Sequence, residues 1–546
     1  MTTTLVVRHR RPTALGKEAA LSAAVAALVG LLLVRFGPPA GDLAAHAYLR
    51  TLFLRHGFTL WDNFWYAGRF TFLSYSVLYY PLAALLGIKP LAVATVAIAG
   101  FAFAVVLGRE WGATARLSSR TFAVVWAGVV LAGTYPFALG VALALLAVAA
   151  LQMRRDGRFA LLTLLTLAAS PLAFLLLVLV CAGAWLERRP EWQRIRGPVL
   201  AVAAVTVLAL LVWRLFPAGG SYPFSASEFA AACVFFAGGA ALTWRVEGAR
   251  LLGSVFAVNL LACLGAFLVP SALGENVARL RLAAIPLAVL ALSLRRWRPR
   301  WLAVVALALA AAWNASPIAA NYVQGTRDVS AAPAFWQPTI RYLRAHADPS
   351  YRVEVVDTVD HWEAAYLPPA GIPIARGWFR QDDFPFNRVL YGHRLSAASY
   401  LGWLRAVGVR WVVLTTAPPD YSSRVEAALL RSGRSGLEPV FSAPTATVYA
   451  VPAPRRIVTG PGSARVVALH EARVVLDVAH AGTYRVAIRF APYWQSSAGC
   501  VSEGRDGMLR VSVPRAGRVA LSFDLDAGAM VAALAGASSG RCAGQS

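Results

Sequence analysis

The chain has 546 residues, of which 58% are hydrophobic and only 14% charged, and its mean hydropathy is +0.57. These values exclude an ordinary soluble globular protein and indicate a membrane protein. The net charge of +25 does not indicate a nucleic-acid partner, because much of the excess lies in short arginine clusters between apolar segments, where it orients helices across a bilayer.

The first 320 residues predict a polytopic α-helical membrane domain (1–320), in which apolar runs of about 17 to 21 residues recur and give about eleven crossings. The runs lie near residues 19–36, 90–108, 121–134, 136–153, 159–169, 171–187, 198–216, 227–244, 250–270, 279–294 and 301–316. Pro136 and Pro171 fall near the midpoints of 121–153 and 159–187, so each of these segments is expected to form two short helices.

The basic clusters predict the topology. They lie at residues 8–17, 109–120, 154–158, 188–196, 245–250 and 295–300. If all of them are cytoplasmic, the N-terminus is cytoplasmic too, and an odd number of crossings places the C-terminal region outside the membrane.

The C-terminal region predicts two extracytoplasmic modules. Residues 321–454 indicate an α/β domain, and residues 455–546 a β-sandwich-like domain with a flexible tail after Ala527. The expected elements are a helix at 334–347 and strands at 352–356, 410–415, 445–451, 472–478, 482–489 and 509–513.

The first loop, about residues 37 to 76, holds the most informative pattern. Asp42, Asp62 and Asp156 are the only aspartates before residue 320. Asp42, His46 and Arg50 recur at a spacing of four and predict one face of a helix that ends at Gly57. Asp42 is then either an N-cap alone or a functional acid that also caps.

Two further features flank this helix. Asp62 and Asn63 are expected to support the site or to start a second interfacial helix. An aromatic belt at the membrane interface is predicted for Trp61, Trp65, Tyr66, Tyr75, Tyr79 and Tyr80.

A late loop carries Glu275, Asn276, Arg279 and Arg281. Two guanidiniums at a helix N-terminus form a good phosphate clamp. Snorkelling of the same arginines toward the interface is an equally weighted interpretation.

These residues carry a resemblance. The run Gly41-Asp42-Leu43-x-x-His46-x-x-x-Arg50, followed by Gly57, Trp61, Tyr66-Ala67-Gly68 and Tyr79-Tyr80-Pro81-Leu82, resembles the first extracytoplasmic loop of GT-C-type membrane glycosyltransferases. It is most similar to bacterial integral membrane proteins labelled as a 6-pyruvoyl-tetrahydropterin-synthase-related membrane domain, a label that is no evidence for pterin chemistry. Gly274-Glu275-Asn276-x-x-Arg279-Leu280, followed by Pro286-Leu287, is similar to a late-loop signature of such proteins.

The resemblance implies an enzyme of the bacterial plasma membrane that moves a sugar from a polyprenyl-phosphate donor to a cell-envelope glycan or lipid acceptor. Asp42 would be the general base, and His46, Arg50, Arg279 and Arg281 would contact the donor phosphate. Asp62, Glu275 and Asn276 would support them. No cofactor is implied with certainty. Some relatives use a divalent cation held by two acids at this loop, whereas Leu43 follows Asp42 here, so metal dependence stays open.

Two loops of the α/β region combine acids, arginine and tryptophan. Sugar-binding sites often do the same, so acceptor contacts are predicted for Asp360, His361, Trp362, Glu363, Arg376 and Trp378. An ordinary ion-paired loop is the alternative, and the Asp357-x-x-Asp360-His361 spacing resembles a metal cluster only loosely.

The cysteines divide by location. Cys181, Cys233 and Cys263 lie in apolar segments and are expected to pack there. Cys500 and Cys542 fall in the extracytoplasmic region, where an oxidising compartment permits a disulfide between them, although spacing alone does not fix the connectivity.

Two functions from other classes stay open. The cationic groups of the loops would equally suit a non-catalytic transporter or flippase for polyprenyl-linked glycans, or a scaffold for envelope assembly. The sequence indicates neither the donor sugar, the acceptor nor the oligomeric state.

Overall fold

The computed structural model of the protein describes residues 13–217, 219–392 and 394–535. Its N-terminal part is almost wholly helical, apart from one small hairpin. The elements are α1 (Ala14–Phe36), α2 (Leu43–His56), β1 (Trp61–Asp62), β2 (Arg69–Phe70), α3 (Tyr79–Leu86), α4 (Ile88–Trp111), α5 (Arg116–Trp126), α6 (Val129–Ala132), α7 (Tyr135–Gln152), α8 (Asp156–Ala169), α9 (Pro171–Arg188), α10 (Trp192–Leu215), α11 (Ala226–Thr243), α12 (Arg250–Leu268), α13 (Ala284–Leu294) and α14 (Arg300–Arg327). A 3-10 segment, Gly274–Ala283, leads into α13.

The apolar helices occupy the predicted segments and make the chain a multi-pass membrane protein. Among the described residues, nine stretches are long and apolar enough to cross a membrane. One of them, Ile88–Ala132, contains α4, α5 and α6, and α8 is too short to be included at 14 residues. Counting that stretch as two passes and α8 as a short pass recovers the eleven predicted segments. Pro136 and Pro171 each lie in the first turn of a new helix, where proline is well tolerated.

Small residues set the spacing of the first helices. A Cβ atom on Gly100 of α4 would lie 2.9 Å from the Ser22 carbonyl oxygen of α1, and one on Gly30 would lie 2.8 Å from Val96. Ala26 of α1 is fully buried at this contact. Glycine and alanine let two backbones approach closely, which is how helices associate in lipid.

The helical bundle has two distinct ends. At one end, here called the arginine face, Arg120 bonds to Glu18, Arg188 pairs with Glu110, and the Trp111 indole donates to Gly248. The predicted basic clusters 109–120, 188–196 and 245–250 therefore meet at one face.

The opposite end, here called the domain face, carries the α1–α2 loop and the C-terminal region. The Asp42 amide donates to Ala132 at the α6–α7 turn, and the Gln324 amide near the end of α14 donates to Asp360 of the C-terminal region. The first loop and the C-terminal domains thus share one side of the helical domain.

The first C-terminal module is an α/β domain. Its elements are α15 (Pro333–Ala345), β3 (Arg352–Val355), α16 (Glu363–Tyr366), α17 (Arg380–Phe386), α18 (Ala397–Ala406), β4 (Val409–Thr415), α19 (Arg424–Arg431), β5 (Glu438–Ala443) and β6 (Ala446–Ala450). The sheet order is β3-β4-β6-β5; β3 and β4 are parallel and the other pairs antiparallel. The buried strand β3 ends just before the loop that carries Asp357 and His361.

The second module has two four-stranded antiparallel sheets. Its elements are β7 (Val458–Thr459), β8 (Ala464–His470), β9 (Arg473–Val478), β10 (Gly482–Arg489), β11 (Trp494–Ser496), β12 (Cys500–Glu503), β13 (Met508–Val513), β14 (Gly517–Phe523) and α20 (Ala527–Leu534). The sheet orders are β12-β13-β10-β7 and β11-β14-β9-β8, as expected for a sandwich.

The tail prediction was wrong for residues 527–534. They form α20, whose Ala529 and Ala533 pack in the sandwich core together with Leu215 and Phe216 of the helical domain. Residues beyond Ala535, with Cys542 among them, lie outside the described residues, so the Cys500–Cys542 disulfide stays a prediction.

The prediction of an aromatic belt at the membrane interface was also wrong for most of its residues. Trp61, Trp65, Tyr66, Tyr79 and Tyr80 are each at most 2% exposed. Trp61 stacks on Phe523 in the sandwich core, which leaves Asp62 in strand β1 rather than in a second interfacial helix. The first loop is therefore packed between the helical and C-terminal domains instead of facing lipid headgroups.

Candidate active site

Asp42 lies where the first loop meets the α6–α7 turn. The amides of Gly41 and Asp42 donate to the carbonyls of Leu131 and Ala132 at 3.3 and 3.2 Å. Gly133 has φ +79°, and a Cβ there would lie 2.9 Å from the Asp42 nitrogen. The positive φ and the close approach both require glycine. This turn fixes the backbone of Asp42 at the domain face.

The Asp42 side chain points away from the helix that it precedes. It stands at the N-cap position of α2 but makes no side-chain capping hydrogen bond. Instead, the indole Nε1–H of Trp378, in the α/β domain, donates to Asp42 Oδ1 at 3.2 Å. The interpretation of Asp42 as a cap alone therefore has no capping hydrogen bond to support it.

Several cations act on this carboxylate. Removal from water raises the pKa of Asp42 to about 6, although Arg279, the Trp378 hydrogen bond, Arg380 and His361 all oppose the rise. A carboxyl with this pKa is mostly ionised at neutral pH yet remains basic enough to accept a proton.

Two contacts fix the Arg279 side chain in its position near Asp42. Its Nε and Nη2 atoms donate to Asn276 Oδ1 at 3.0 and 2.7 Å, and its guanidinium lies 4.8 Å from the centre of the Phe137 ring. Arg281 instead pairs with Glu228 of α11 at 2.8 Å. The predicted two-arginine clamp is thus divided: Arg279 faces the Asp42 region, and Arg281 faces α11.

An apolar cavity adjoins Arg279. It lies among α4, α5, α7 and α9, its lining includes Phe103, Trp126, Phe137 and Leu177, and Arg279 is its one charged lining residue in the described part of the chain. The cavity therefore combines an apolar interior with a cation at its edge.

His46 sits in an aromatic enclosure. The rings of Tyr75, Tyr79, Tyr80, Tyr135 and Trp378 lie 5.5 to 6.1 Å from its own. Burial lowers the pKa of His46 to about 3, so the imidazole is neutral at physiological pH and offers no positive charge to a phosphate.

Arg50 and Asp62 also bond to the protein itself. Arg50 Nε donates to the Ala83 carbonyl at 2.7 Å. Asp62 is fully buried and accepts from the Tyr48 hydroxyl and the Phe64 amide, both at 2.8 Å. Burial raises the pKa of Asp62 to about 6. The side chains of Arg50 and Asp62 therefore hold the first loop in place, whereas the Asp42 side chain bonds to Trp378 of the α/β domain.

The proposed acceptor residues are mostly buried. Asp360, His361, Trp362, Glu363 and Arg376 are each at most 6% exposed. Arg376 is fully used by the protein: its guanidinium contacts Glu354, Asp357 and Glu426. These five residues therefore expose little surface on which a glycan could bind. Trp378, which is only partly buried and contacts Asp42, is the exception.

One group of described residues has metal-ligand character. Asp357, His361 and Glu363 are all buried and place their donor atoms within 4.8 Å of one another. Burial disfavours the charged imidazole, but Glu363 and Asp357 outweigh it and raise the pKa of His361 to about 9. In the described part of the chain, no such group of three ligands includes Asp42.

Arg380 is a site residue that the sequence did not indicate. It pairs with Asp420 at 2.7 Å, lies 4.4 Å from the centre of the Tyr421 ring and adds positive charge near Asp42. The first turn of α17, which contains Arg380, is joined to the segment before α11 by a hydrogen bond from the Gly220 amide to the Gln381 carbonyl. Only the fold shows these partners, since they are far apart in the chain.

Comparison with known proteins identifies solved structures with a similar fold. No family model matches the chain, and no curated protein matches it. Two cryo-EM structures of the arabinofuranosyltransferase AftD from mycobacteria are similar to it. A mutant form of AftD matches with a TM-score of 0.50 and 18% identity over 87% of this chain and 43% of AftD. The other AftD structure matches with a TM-score of 0.47 and 17% identity over 85% of this chain and 41% of AftD.

The chain thus spans less than half the length of the AftD structures. At this identity the likeness concerns the fold alone. The protein has a fold similar to this part of AftD, in which a polytopic helical membrane domain carries C-terminal β-containing modules.

Proposed function

We propose that the protein is a GT-C-type glycosyltransferase that moves a sugar from a polyprenyl-phosphate-linked donor to a cell-envelope glycan or lipid acceptor. The observation that carries this proposal is the position of Asp42, a carboxylate that Trp378 orients and on which Arg279, a lining residue of the apolar cavity, acts electrostatically. A base, a cation and an apolar space together match the three parts of such a reaction.

Asp42 acts as the general base. It removes the proton from the acceptor hydroxyl, the acceptor oxygen bonds to the anomeric carbon of the sugar, and the bond from that carbon to the phosphate oxygen breaks. Polyprenyl phosphate leaves with the electron pair. The Trp378 hydrogen bond holds one carboxylate oxygen and so orients the other toward the acceptor.

Arg279 stabilises the leaving phosphate. Negative charge develops on that group in the transition state, and a fixed guanidinium at an apolar site is an effective partner for it. Asn276 and Phe137 keep the guanidinium in position before the donor arrives. The first isoprene units of the donor occupy the adjacent cavity.

The AftD likeness supports the reaction class by analogy of fold only, since one fold hosts many activities. The proposed topology places the domain face outside the cytoplasm. It is supported by the meeting of basic clusters at the arginine face, because lysine- and arginine-rich loops stay cytoplasmic.

The test is transfer from a polyprenyl-phosphate sugar by the purified full chain in lipid nanodiscs, with wild type and Asp42→Asn compared on a panel of donor sugars. Donor-dependent release of polyprenyl phosphate by wild type alone is expected. Equal lipid movement by both forms in vesicles, with no sugar transferred, would favour a transporter.

A further inference from the structure

The loop between β3 and α16 contains a buried cluster that the proposed reaction does not use. We propose that Asp357, His361 and Glu363 bind one divalent first-row metal ion, of the class of Zn²⁺ or Mn²⁺. This site is separate from the base and the cation of the proposed transfer, and its test needs no enzyme activity.

The distances between the donor atoms fit one ion. His361 Nδ1 lies 3.5 Å from Glu363 Oε1 and 3.9 Å from Asp357 Oδ1. Nitrogen and oxygen ligands lie about 2.0–2.2 Å from Zn²⁺, so two ligands of one ion are roughly 3 to 3.6 Å apart. All three donor atoms lie within 4.8 Å of one another, so inward movements of up to about 1 Å of the Asp357 and Glu363 side chains would complete the coordination.

The orientation of the donor atoms is the second observation. His361 Nδ1 and Glu363 Oε1 belong to residues that are only 5% and 1% exposed. They lie 3.5 Å apart as an ion pair, but neither atom makes a hydrogen bond of good geometry. Buried polar atoms without a full hydrogen bond are rare because each costs free energy of lost hydration, and a metal ion bound to both atoms would satisfy them.

The outer oxygens of the carboxylates are already held. Glu363 Oε2 accepts from the Thr358 hydroxyl at 2.7 Å, and Asp357 Oδ2 contacts Arg376 at 3.0 Å and Ser423 at 3.3 Å. In each carboxylate one oxygen is fixed by the protein while the other faces His361. Metal sites are oriented in this way by hydrogen bonds to their ligands.

The charge balance also favours a cation. The Arg376 guanidinium faces the three carboxylates of Glu354, Asp357 and Glu426, and Glu363 adds a fourth. Four buried carboxylates thus lie around one buried guanidinium. A divalent ion compensates this charge without a proton on each carboxylate.

The backbone at the cluster is consistent with a constrained site. His361 adopts a left-handed conformation with φ +55°, which is costly for a residue with a Cβ and is found mainly where function or packing requires it. A bound ion would hold this turn closed. Since Asp360 of the same turn bonds to Gln324 and lies next to Gly41, the ion would also fix the loop beside Asp42.

The experiment uses the full chain, purified in detergent, treated with a chelator and titrated with Mn²⁺ as the probe while free Mn²⁺ is followed by electron paramagnetic resonance. We expect one tightly bound Mn²⁺ per chain that Zn²⁺ displaces, with pulsed spectra showing coupling to one imidazole nitrogen. His361→Gln and Glu363→Gln should weaken binding at least tenfold, and His361→Gln should abolish the nitrogen coupling. Asp360→Asn, which changes a buried acid outside the cluster, should bind as wild type does.

The proposal is overturned if wild type binds no Mn²⁺ tightly, if the bound ion shows no nitrogen coupling, or if Glu363→Gln binds unchanged. Should the two cluster variants fail to fold, a variant with the exposed histidines His56, His346, His470 and His480 changed to alanine decides. Retained coupling in this variant supports the cluster, and lost coupling assigns the ion to the surface.

Discussion

Trp378 donates a hydrogen bond to Asp42 across 336 positions of sequence. The bond joins the α/β domain to the first loop of the helical domain, at the carboxylate proposed as the base. The C-terminal module therefore supplies part of the candidate site instead of merely covering it. Variants on both sides of this contact test the proposal.

Asp42→Asn should lower sugar transfer by roughly 10²- to 10⁴-fold, because a general base contributes a factor of this size. Its melting temperature should stay close to that of wild type, since the side chain makes no capping hydrogen bond and asparagine can still accept from Trp378. Turnover and thermal unfolding of the two purified forms provide the check. Near-normal transfer by the variant would remove Asp42 from the mechanism.

Trp378→Phe should move the acidic limb of the pH–rate profile upward. The base form of Asp42 exists above its pKa of about 6, so the rate should fall about tenfold per pH unit below that value. The Trp378 hydrogen bond stabilises the charged form, and its loss should raise the apparent pKa by about one unit. An unshifted limb together with a lowered maximum would indicate that Trp378 acts only through packing.

Much of the fold was predictable, because membrane helices and strands follow local periodicity. The α2 helix after Asp42 and its end at Gly57 were both predicted, and Gly57 has the positive φ of a helix terminus. Burial of the first-loop aromatics was not predictable. Trp61 and Trp65 have the composition of an interfacial belt, and only the docking of the C-terminal domains removes them from the interface.

The same distinction applies to the candidate site. Asp42 could be selected from sequence because a rare acid beside an apolar segment is costly unless it has a use, and Arg279 because a guanidinium at a helix N-terminus suits a phosphate. Three other features depend on partners distant in sequence. They are the neutral imidazole of His46, the ion pair of Arg281 with Glu228 and the position of Arg380 near Asp42. Local pattern carries no information on such contacts.

Labelling of introduced cysteines tests the orientation. Ser221 and Ser432 are exposed on the domain face and the α/β domain, and Gly157 is exposed in the first turn of α8 with free space around a new side chain. An impermeant thiol reagent added to intact cells should label Ser221→Cys and Ser432→Cys but not Gly157→Cys. Permeabilised cells, in which all three should react, are the control. The reverse pattern would place the arginine face outside.

Asp62→Asn should be no less stable than wild type at pH 7. Because burial raises the folded-state pKa of Asp62 to about 6, folding favours its protonated form, and stability is lost as the pH rises from about 4 to 6. A shift of about two units corresponds to about 3 kcal/mol. The variant should lose this part of the pH dependence, and melting temperatures at pH 4.5 and 7 in both forms would measure it. A large loss of stability at pH 7 would mean that the charged form is the favoured one.

Arg279→Gln and Arg281→Gln form a matched pair that tests the phosphate partner. The two arginines are two positions apart on one 3-10 segment, yet Arg279 adjoins Asp42 and the apolar cavity whereas Arg281 pairs with Glu228. Removal of a cation that stabilises a leaving phosphate should cost about 10²- to 10³-fold in turnover, by comparison with the loss of one preorganised oxyanion donor. Arg281→Gln removes a partly exposed ion pair, which is worth about 1 kcal/mol or less, and should keep turnover within a few-fold of wild type.

Because a positive charge at Arg279 binds the phosphate in both ground and transition states, the KM for the donor should rise in Arg279→Gln as well. Equal loss of activity in both variants would show that the segment as a whole, and not the Arg279 guanidinium, supports the reaction.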